Sequence, residues 1–406
     1  MAAARSSARE VLGERSPGAP ARSLYVHVPF CFHKCHYCDF YSIVDTRDRQ
    51  GAFADRLVRE LAALAPHAAG APLRTIFVGG GTPTLLAAPL WERVLRCLAE
   101  RYDLTEILAG RGEFTVECNP ETATPALFDV LRAGGVDRLS VGAQTFDPRH
   151  LKTLERWHNP DNVFRAIALA RAAGIGRQSL DIIYGIPGQT MEDLDRDLFL
   201  ALSAGTEHVS AYALTYEPAT AMTARRDRGD FPGADEDLEA MMFERVLGTM
   251  RAAGLDRYEV SNFARPGAES RHNLAYWRNE DWLAAGPSAS GHLRGARWKN
   301  APRLDDYLAH DDEGFAPIVD HERPDPRRAV VERLMMGLRL REGVDSASVL
   351  DAASRLSPPR DERLSTAATE QARLGLLRDA GGRWTLTDDG FLLTNRVVAA
   401  LADALD

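Results

Sequence analysis

Three of the five cysteines fall within eight residues, as Cys31, Cys35 and Cys38 of the run CFHKCHYCDF, while Cys97 and Cys118 stand apart. An odd count clustered in this way makes a poor disulfide framework and points instead to metal ligation in a reducing cytoplasm. Three thiolates from one tight loop suit an iron–sulfur cluster, and three protein ligands to four irons leave one iron open to an external group. A structural zinc completed by His33 or His36 is the alternative. Zinc sites of that kind usually take a second pair of ligands from well downstream, and the sequence offers no such pair. Cys97, in an amphipathic stretch, and Cys118, next to Glu117, read as small buried apolar residues.

The C-x3-C-x2-C loop follows the apolar run Leu24–Val28, the first of six short runs with strand character. The others are Thr75–Val78, Phe114–Glu117, Arg138–Gly142, Ser179–Tyr184 and His208–Leu214, and amphipathic stretches such as AFADRLVRELAALA and MEDLDRDLFLALSAG lie between them. Strand–helix alternation repeated six times predicts parallel strands joined by right-handed crossovers. Six units are too few for the eight-fold barrel, so the expected fold is α/β, a partial (β/α)6 barrel whose loops carry the chemistry at the strand C-terminal ends. A doubly wound sheet is the alternative on periodicity alone. The first 22 residues, rich in Ala, Arg, Ser, Gly and Pro, are expected to form a disordered tail. Residues 23–305 make the core with an accessory segment, and 306–406 read as a small winged-helix-like α+β domain. With 49 basic and 58 acidic side chains the net charge is −9, and only three residues are lysine, so no nucleic-acid partner is expected. No apolar run approaches the length of a membrane span.

The cysteine loop, with Tyr37 just before its last cysteine, resembles the hallmark of the radical S-adenosylmethionine superfamily. The ordered motifs YVHVPFC, VGGGTPTLL, ECNPET, LSVGAQTF, LDIIYGIPGQT and HNLAYW are similar to those of the oxygen-independent coproporphyrinogen III oxidase-like family, and within it to the HemW-type heme-chaperone branch. The resemblance implies a [4Fe–4S] cluster on Cys31, Cys35 and Cys38. It also implies S-adenosyl-L-methionine against Tyr25, Tyr37, Gly80, Gly81, Thr82, Glu117, Gln144, Arg156 and Asp181. Physical reasoning agrees in part: glycine backbone permits close approach, and polar groups at successive strand ends make a poor core but a good pocket lining. Arg156 alone would be read as a solvated helix residue. His272, opening the HNLAYW tract, suits an axial ligand to heme iron if exposed, or a hydrogen bond within the fold if not.

Two functions compete. One is a coproporphyrinogen III dehydrogenase of heme biosynthesis. The other is a chaperone that binds heme, keeps the cluster with exchangeable S-adenosylmethionine, and delivers heme to an acceptor protein. The dehydrogenases of the family carry a further cysteine two residues after the third, where this chain has Phe40, and a longer N-terminal region. Both departures favour the chaperone, so no catalytic residue is assigned. The expected setting is cytoplasmic, with peripheral contact to membrane-bound acceptors compatible with it.

Overall fold

The computed structural model describes residues 6–13, 19–232, 235–310 and 312–406. All six apolar runs are strands: β1 (Ser23–Val28), β2 (Thr75–Gly80), β3 (Glu113–Cys118), β4 (Arg138–Gln144), β5 (Arg177–Tyr184) and β6 (His208–Ala213). They pair in sequence order and in parallel, with helices Gln50–Leu64, Ala88–Arg101, Pro125–Ala133, Asp161–Ala172 and Met191–Ser203 between them. Local signals start these helices. Thr124 accepts from the Leu127 N–H, and Thr190 and Asp193 form a reciprocal capping box, satisfying N–H groups that a helix start leaves unpaired.

Alternation along the strands sorts the side chains onto two faces. Leu24, Val26, Ile76, Val78, Phe114, Val116, Leu139, Val141, Leu180 and Val209 belong to one continuous apolar core with the helices. The intervening residues Tyr25, Phe77, Glu117, Ser140, Asp181 and Tyr212 stay at least partly accessible in strands otherwise largely sealed. The inner face therefore lines an open space, as a barrel interior does.

The sheet does not close. Trp282–Ala285 adds a seventh parallel strand beside β1, followed outward by Ser290–Leu293, Ala296–Asn300 and Ile318–Glu322, while Asn262–Ala264 runs antiparallel to β6. The accessory segment expected up to residue 305 thus extends the sheet at both edges. Buried Glu60 anchors it, accepting from Gly286 N at 2.9 Å, Asn300 Nδ2 at 2.9 Å and Tyr307 OH at 2.6 Å.

A buried network closes the barrel at the strand N-terminal ends. Glu113 receives Arg177 Nη2 at 3.1 Å, the Arg271 N–H at 3.0 Å and Ser270 Oγ at 3.2 Å, with Arg138 Nη1 at 3.7 Å. Burial alone would raise the Glu113 pKa, but Arg138 and Arg177 more than offset it and hold it below the usual value. The stability this supplies is present above the ordinary carboxylate pKa and is lost as pH falls through the depressed one. Glu113→Ala leaves the fully buried Arg138 short of its counter-charge, and urea unfolding followed by circular dichroism should show a loss of about 3–5 kcal/mol.

The chain divides into two compact units. The first takes the described residues up to Asp256, then Ser261–His272 and Asp281–His321; the second takes Arg257–Val260, Asn273–Glu280 and Glu322–Asp406. The boundary expected at 305/306 therefore falls inside the first unit, which includes helix Leu304–Ala309 and nearly all of the edge strand Ile318–Glu322. The N-terminal expectation also changes. Ala8–Leu12 is helical with Ala8 and Leu12 buried, and Ala8 N donates to Ala316 O at 3.0 Å. Residues 1–5 and 14–18 of the expected tail lie outside the described residues. In the second unit, helices Pro326–Gly337, Ser346–Ser354 and Asp361–Arg373 pack with an antiparallel sheet of Val344–Asp345, Arg383–Leu386 and Leu377–Ala380. Leu334, Val349, Leu364, Trp384 and Leu401 form its core, in a winged-helix-like arrangement. Among the described residues, no helix is long and apolar enough to cross a membrane.

Candidate metal and cofactor site

The cysteine loop leaves β1 at the C-terminal end of the barrel, and backbone bonds close its base. Cys31 N donates to Ile43 O at 2.9 Å and Ile43 N to Pro29 O at 2.8 Å. The exit of β2 is tied to the same stretch, with Gly81 N on Val28 O at 2.8 Å and Thr82 N on Phe30 O at 2.7 Å. All three cysteines are free and partly accessible. Burial pushes the Cys31 thiol up and the Cys38 thiol up to about 11, while Cys97 and Cys118 are buried elsewhere.

The geometry of the three sulfurs tests which metal they fit. A tetrahedral zinc with bonds near 2.3 Å needs its sulfurs about 3.8 Å apart. Among the described residues, the one group of three metal-ligating side chains with all ligand atoms within 4.8 Å of one another is Asp147, His150 and Asp193. There Arg149 and Arg196 already neutralise the carboxylates. Among the described residues, no compact group of metal-ligating atoms includes the three cysteine sulfurs, and three thiolates from one loop are the donor set of a cluster with one open iron.

Around them lie most of the residues expected at a cofactor. Tyr37, Gly80, Gly81, Thr82 and Arg156 line the same hollow as the cysteines. Thr82 Oγ1 is 3.4 Å from Cys31 Sγ, and Arg156 Nη1 is 3.8 Å from Cys35 Sγ. Arg156 also donates through Nη2 to Gly142 O at 3.1 Å, while its Nε is shut off from solvent without a partner. Burial alone would lower the Arg156 pKa, but Tyr37 and Cys35 outweigh it and raise it. Gln144 sits at a bulge with φ +65°, and a Cβ on Gly142 would fall 2.8 Å from its Nε2 and 3.0 Å from Arg156 Nη2.

Deeper in the barrel interior, Glu117 accepts from Gly80 N at 3.1 Å, and Asp181 accepts from Ser140 Oγ at 3.2 Å. Burial, and then the nearby Asp181 charge, push Glu117 up to about 8; burial raises Asp181 as well. Tyr25 stacks on Phe77 in the same interior. Two poorly solvated carboxylates facing an accessible space suit a cationic ligand.

The glycines have a nearer reason than the one read from sequence. A Cβ on Gly79 would meet Glu117 at 2.8 Å, one on Gly80 the His27 ring at 2.4 Å, and one on Gly81 the Phe30 carbonyl at 2.7 Å. Close approach here is first of all to the protein's own chain. Asn119, Ser42 and Trp157, which sequence reasoning passed over, line the same hollow; Asn119 follows β3 directly and Trp157 follows Arg156, and those positions were the available signals.

His272 is a correction. It is 0% exposed, its Nδ1 is 2.8 Å from Thr75 Oγ1, its ring stacks on Phe77, and burial lowers its pKa to about 4. It belongs to the barrel floor with Thr75 and Glu113, at the opposite strand ends from the cysteines, so it is no exposed axial ligand. Its neighbour Arg271 donates to the carbonyls of Arg111 and Gly112. Tyr276, Trp277 and Arg278 fall in the second unit, where Arg278 pairs with Glu342 at 2.9 Å.

Residues 25–201 match the Radical SAM superfamily, and residues 325–393 match the HemN C-terminal domain. The chain is 37% identical over 389 residues to a heme chaperone HemW of Mycobacterium tuberculosis, covering 95% of each. It is 34% identical to the one of Bacillus subtilis, covering 95% of this chain and all of that one. Among solved structures, a coproporphyrinogen III oxidase (HemN) from Escherichia coli described as a radical SAM enzyme superposes with a TM-score of 0.80 at 23% identity, covering 97% of this chain and 91% of that one. That likeness speaks for the fold. With the cysteine loop, the open barrel and relatives this similar along their whole length, the chain belongs to the HemW-type heme-chaperone family within the radical S-adenosylmethionine proteins.

Proposed function

We propose that this chain is a heme chaperone: it binds heme, retains a [4Fe–4S] cluster with exchangeable S-adenosylmethionine, and passes heme to an acceptor protein. The observation that carries this reading is the cysteine loop itself, which has the ligand set for a cluster but presents Phe40, 62% exposed, where a dehydrogenase would have a further cysteine. Cys31, Cys35 and Cys38 would hold the cluster, which would leave one iron free to bind the methionyl end of S-adenosylmethionine. Gly80, Gly81, Thr82, Tyr37, Gln144 and Arg156 would surround that end, and Tyr25, Glu117 and Asp181 the interior beyond it. The names of the relatives support heme as the cargo.

Anaerobic reconstitution with iron and sulfide, followed by two assays on one sample, tests the reading. Hemin titration should give a saturable Soret band, and coproporphyrinogen III should remain undecarboxylated. Steady decarboxylation without saturable hemin binding would make the chain a coproporphyrinogen III dehydrogenase instead.

A further inference from the structure

Resting on the heme-binding reading, we propose that heme docks on an aromatic rim carried by the cysteine loop, formed by Phe32, His33, Lys34, Phe40 and Trp157, and not on the HNLAYW tract. Phe40 is 62%, Trp157 57% and Phe32 38% exposed. Exposed rings grouped this way mark a binding surface more often than isolated ones do. Phe32, His33, Lys34 and Trp157 line the hollow that holds Cys31 and Cys35, and Phe40 joins them through its backbone, whose carbonyl accepts from Lys34 Nζ at 3.2 Å.

The rim is also held in place. The Trp157 and His33 rings stack with centroids 4.0 Å apart and planes 7° from parallel. Glu155 Oε2 accepts from Trp157 Nε1 at 3.2 Å and lies 3.6 Å from His33 Nε2, beyond hydrogen-bond distance, so the indole is held by a hydrogen bond and the imidazole by the stack. One side of the indole is thus covered by imidazole, and the ring's remaining exposure is open to a flat apolar ligand. A preorganised aromatic wall loses little entropy on binding such a ligand.

A porphyrin disc also brings two propionates, which need a cation at the edge of the wall. Lys34 supplies one: its ammonium rests on a carbonyl, and among the described residues no carboxylate pairs with it. The HNLAYW tract lacks the equivalent, because His272 is enclosed in the barrel floor and the Arg271 guanidinium is taken up by two carbonyls.

Phe32, Lys34 and Phe40 alternate with or adjoin the cysteines along one loop. The base of that loop is closed by main-chain bonds that do not involve a cluster, so hemin affinity should change by less than about threefold in the cluster-free protein.

The test is anaerobic hemin titration of the full chain with its cluster assembled. Phe40→Ser, outside the lining of the cysteine hollow, should weaken binding by about three- to tenfold with iron and sulfide content unchanged, and adding Trp157→Ser should weaken it by at least about tenfold. Lys34→Glu should weaken hemin binding but leave binding of the heme dimethyl ester, which lacks the propionate charges, as in wild type. His272→Asn, which keeps a polar atom for Thr75, should bind as wild type. If wild type binds hemin saturably and the rim variants bind equally well, the rim is wrong and the heme-binding reading stands. If binding is lost only in His272→Asn, heme belongs to the tract. If wild type shows no saturable binding, the chaperone reading fails and the rim falls with it.

Discussion

Alanine at Cys31, Cys35 and Cys38 together should abolish the brown chromophore of the anaerobically reconstituted protein and the EPR signal of its reduced form. Among the described residues, no other three metal-ligating side chains near the loop gather to replace them, and the one compact trio, Asp147, His150 and Asp193, is occupied by arginines. The loop should survive the substitutions. Its base is closed by main-chain bonds between Cys31 and Ile43 and between Ile43 and Pro29, which side-chain truncation leaves in place. Circular dichroism should thus be unchanged while iron and sulfide drop to background. The donor set adds a second arm: protein purified aerobically with excess zinc should hold no stoichiometric zinc on these residues. Retention of the chromophore in the triple variant, or a tightly held zinc in wild type, would remove the cluster assignment.

The six strands were legible because each carries enough consecutive apolar residues to seal one face against helices, and the cysteine spacing marked the loop after the first. The later strands were not. Trp282–Ala285 and Ser290–Leu293 are four residues each, the first followed at once by Gly286 and the second containing Gly291, too short for a period-two pattern to show. Their place in the sheet is set by distant partners, with Ser23↔Trp282 pairing across the whole barrel sequence. The same distance hid the floor. Glu113 reads as a charged residue before a strand, yet its partners are Arg138, Arg177 and Ser270, which only the parallel order of the strands brings together. The polar, aromatic tract around His272 suits both an exposed ligand and a histidine hydrogen-bonded within the fold, and its burial follows from plugging that floor. Arg156 shows the limit from the other side. Nothing local distinguishes it from a solvated helix arginine, and its contact with Cys35 exists only once the loop after β4 folds over the cysteines.

S-adenosylmethionine affinity should rise with pH up to about 8 and then level off, and Glu117→Gln should make that rise shallower. Glu117 lies in the barrel interior with Asp181 close enough to repel its charge, and burial with that repulsion lifts its pKa to about 8. Below that value it is mostly neutral in the free protein. A permanently charged sulfonium favours the carboxylate, so binding must expel the proton, at a cost that shrinks by up to about 1.4 kcal/mol per pH unit as 8 is approached. Above 8 the proton has already left and the affinity no longer changes. Gln at this position keeps the size and can still accept from Gly80 N, so the fold and the β2 exit should be preserved. Its affinity should keep only the shallower rise that comes from the methionyl amino group, which at a pKa of about 8 must itself lose a proton to reach iron, and should be at least about tenfold weaker than wild type at pH 8. Asp181→Asn should act on the same quantity from its neighbour: with the repelling charge gone, the Glu117 pKa falls and the rise in affinity shifts to lower pH. Calorimetry in two buffers of different protonation enthalpy at pH 7 reads the expelled proton directly. Binding with no proton release in wild type, or an unchanged pH profile in Glu117→Gln, would take Glu117 out of the cofactor site.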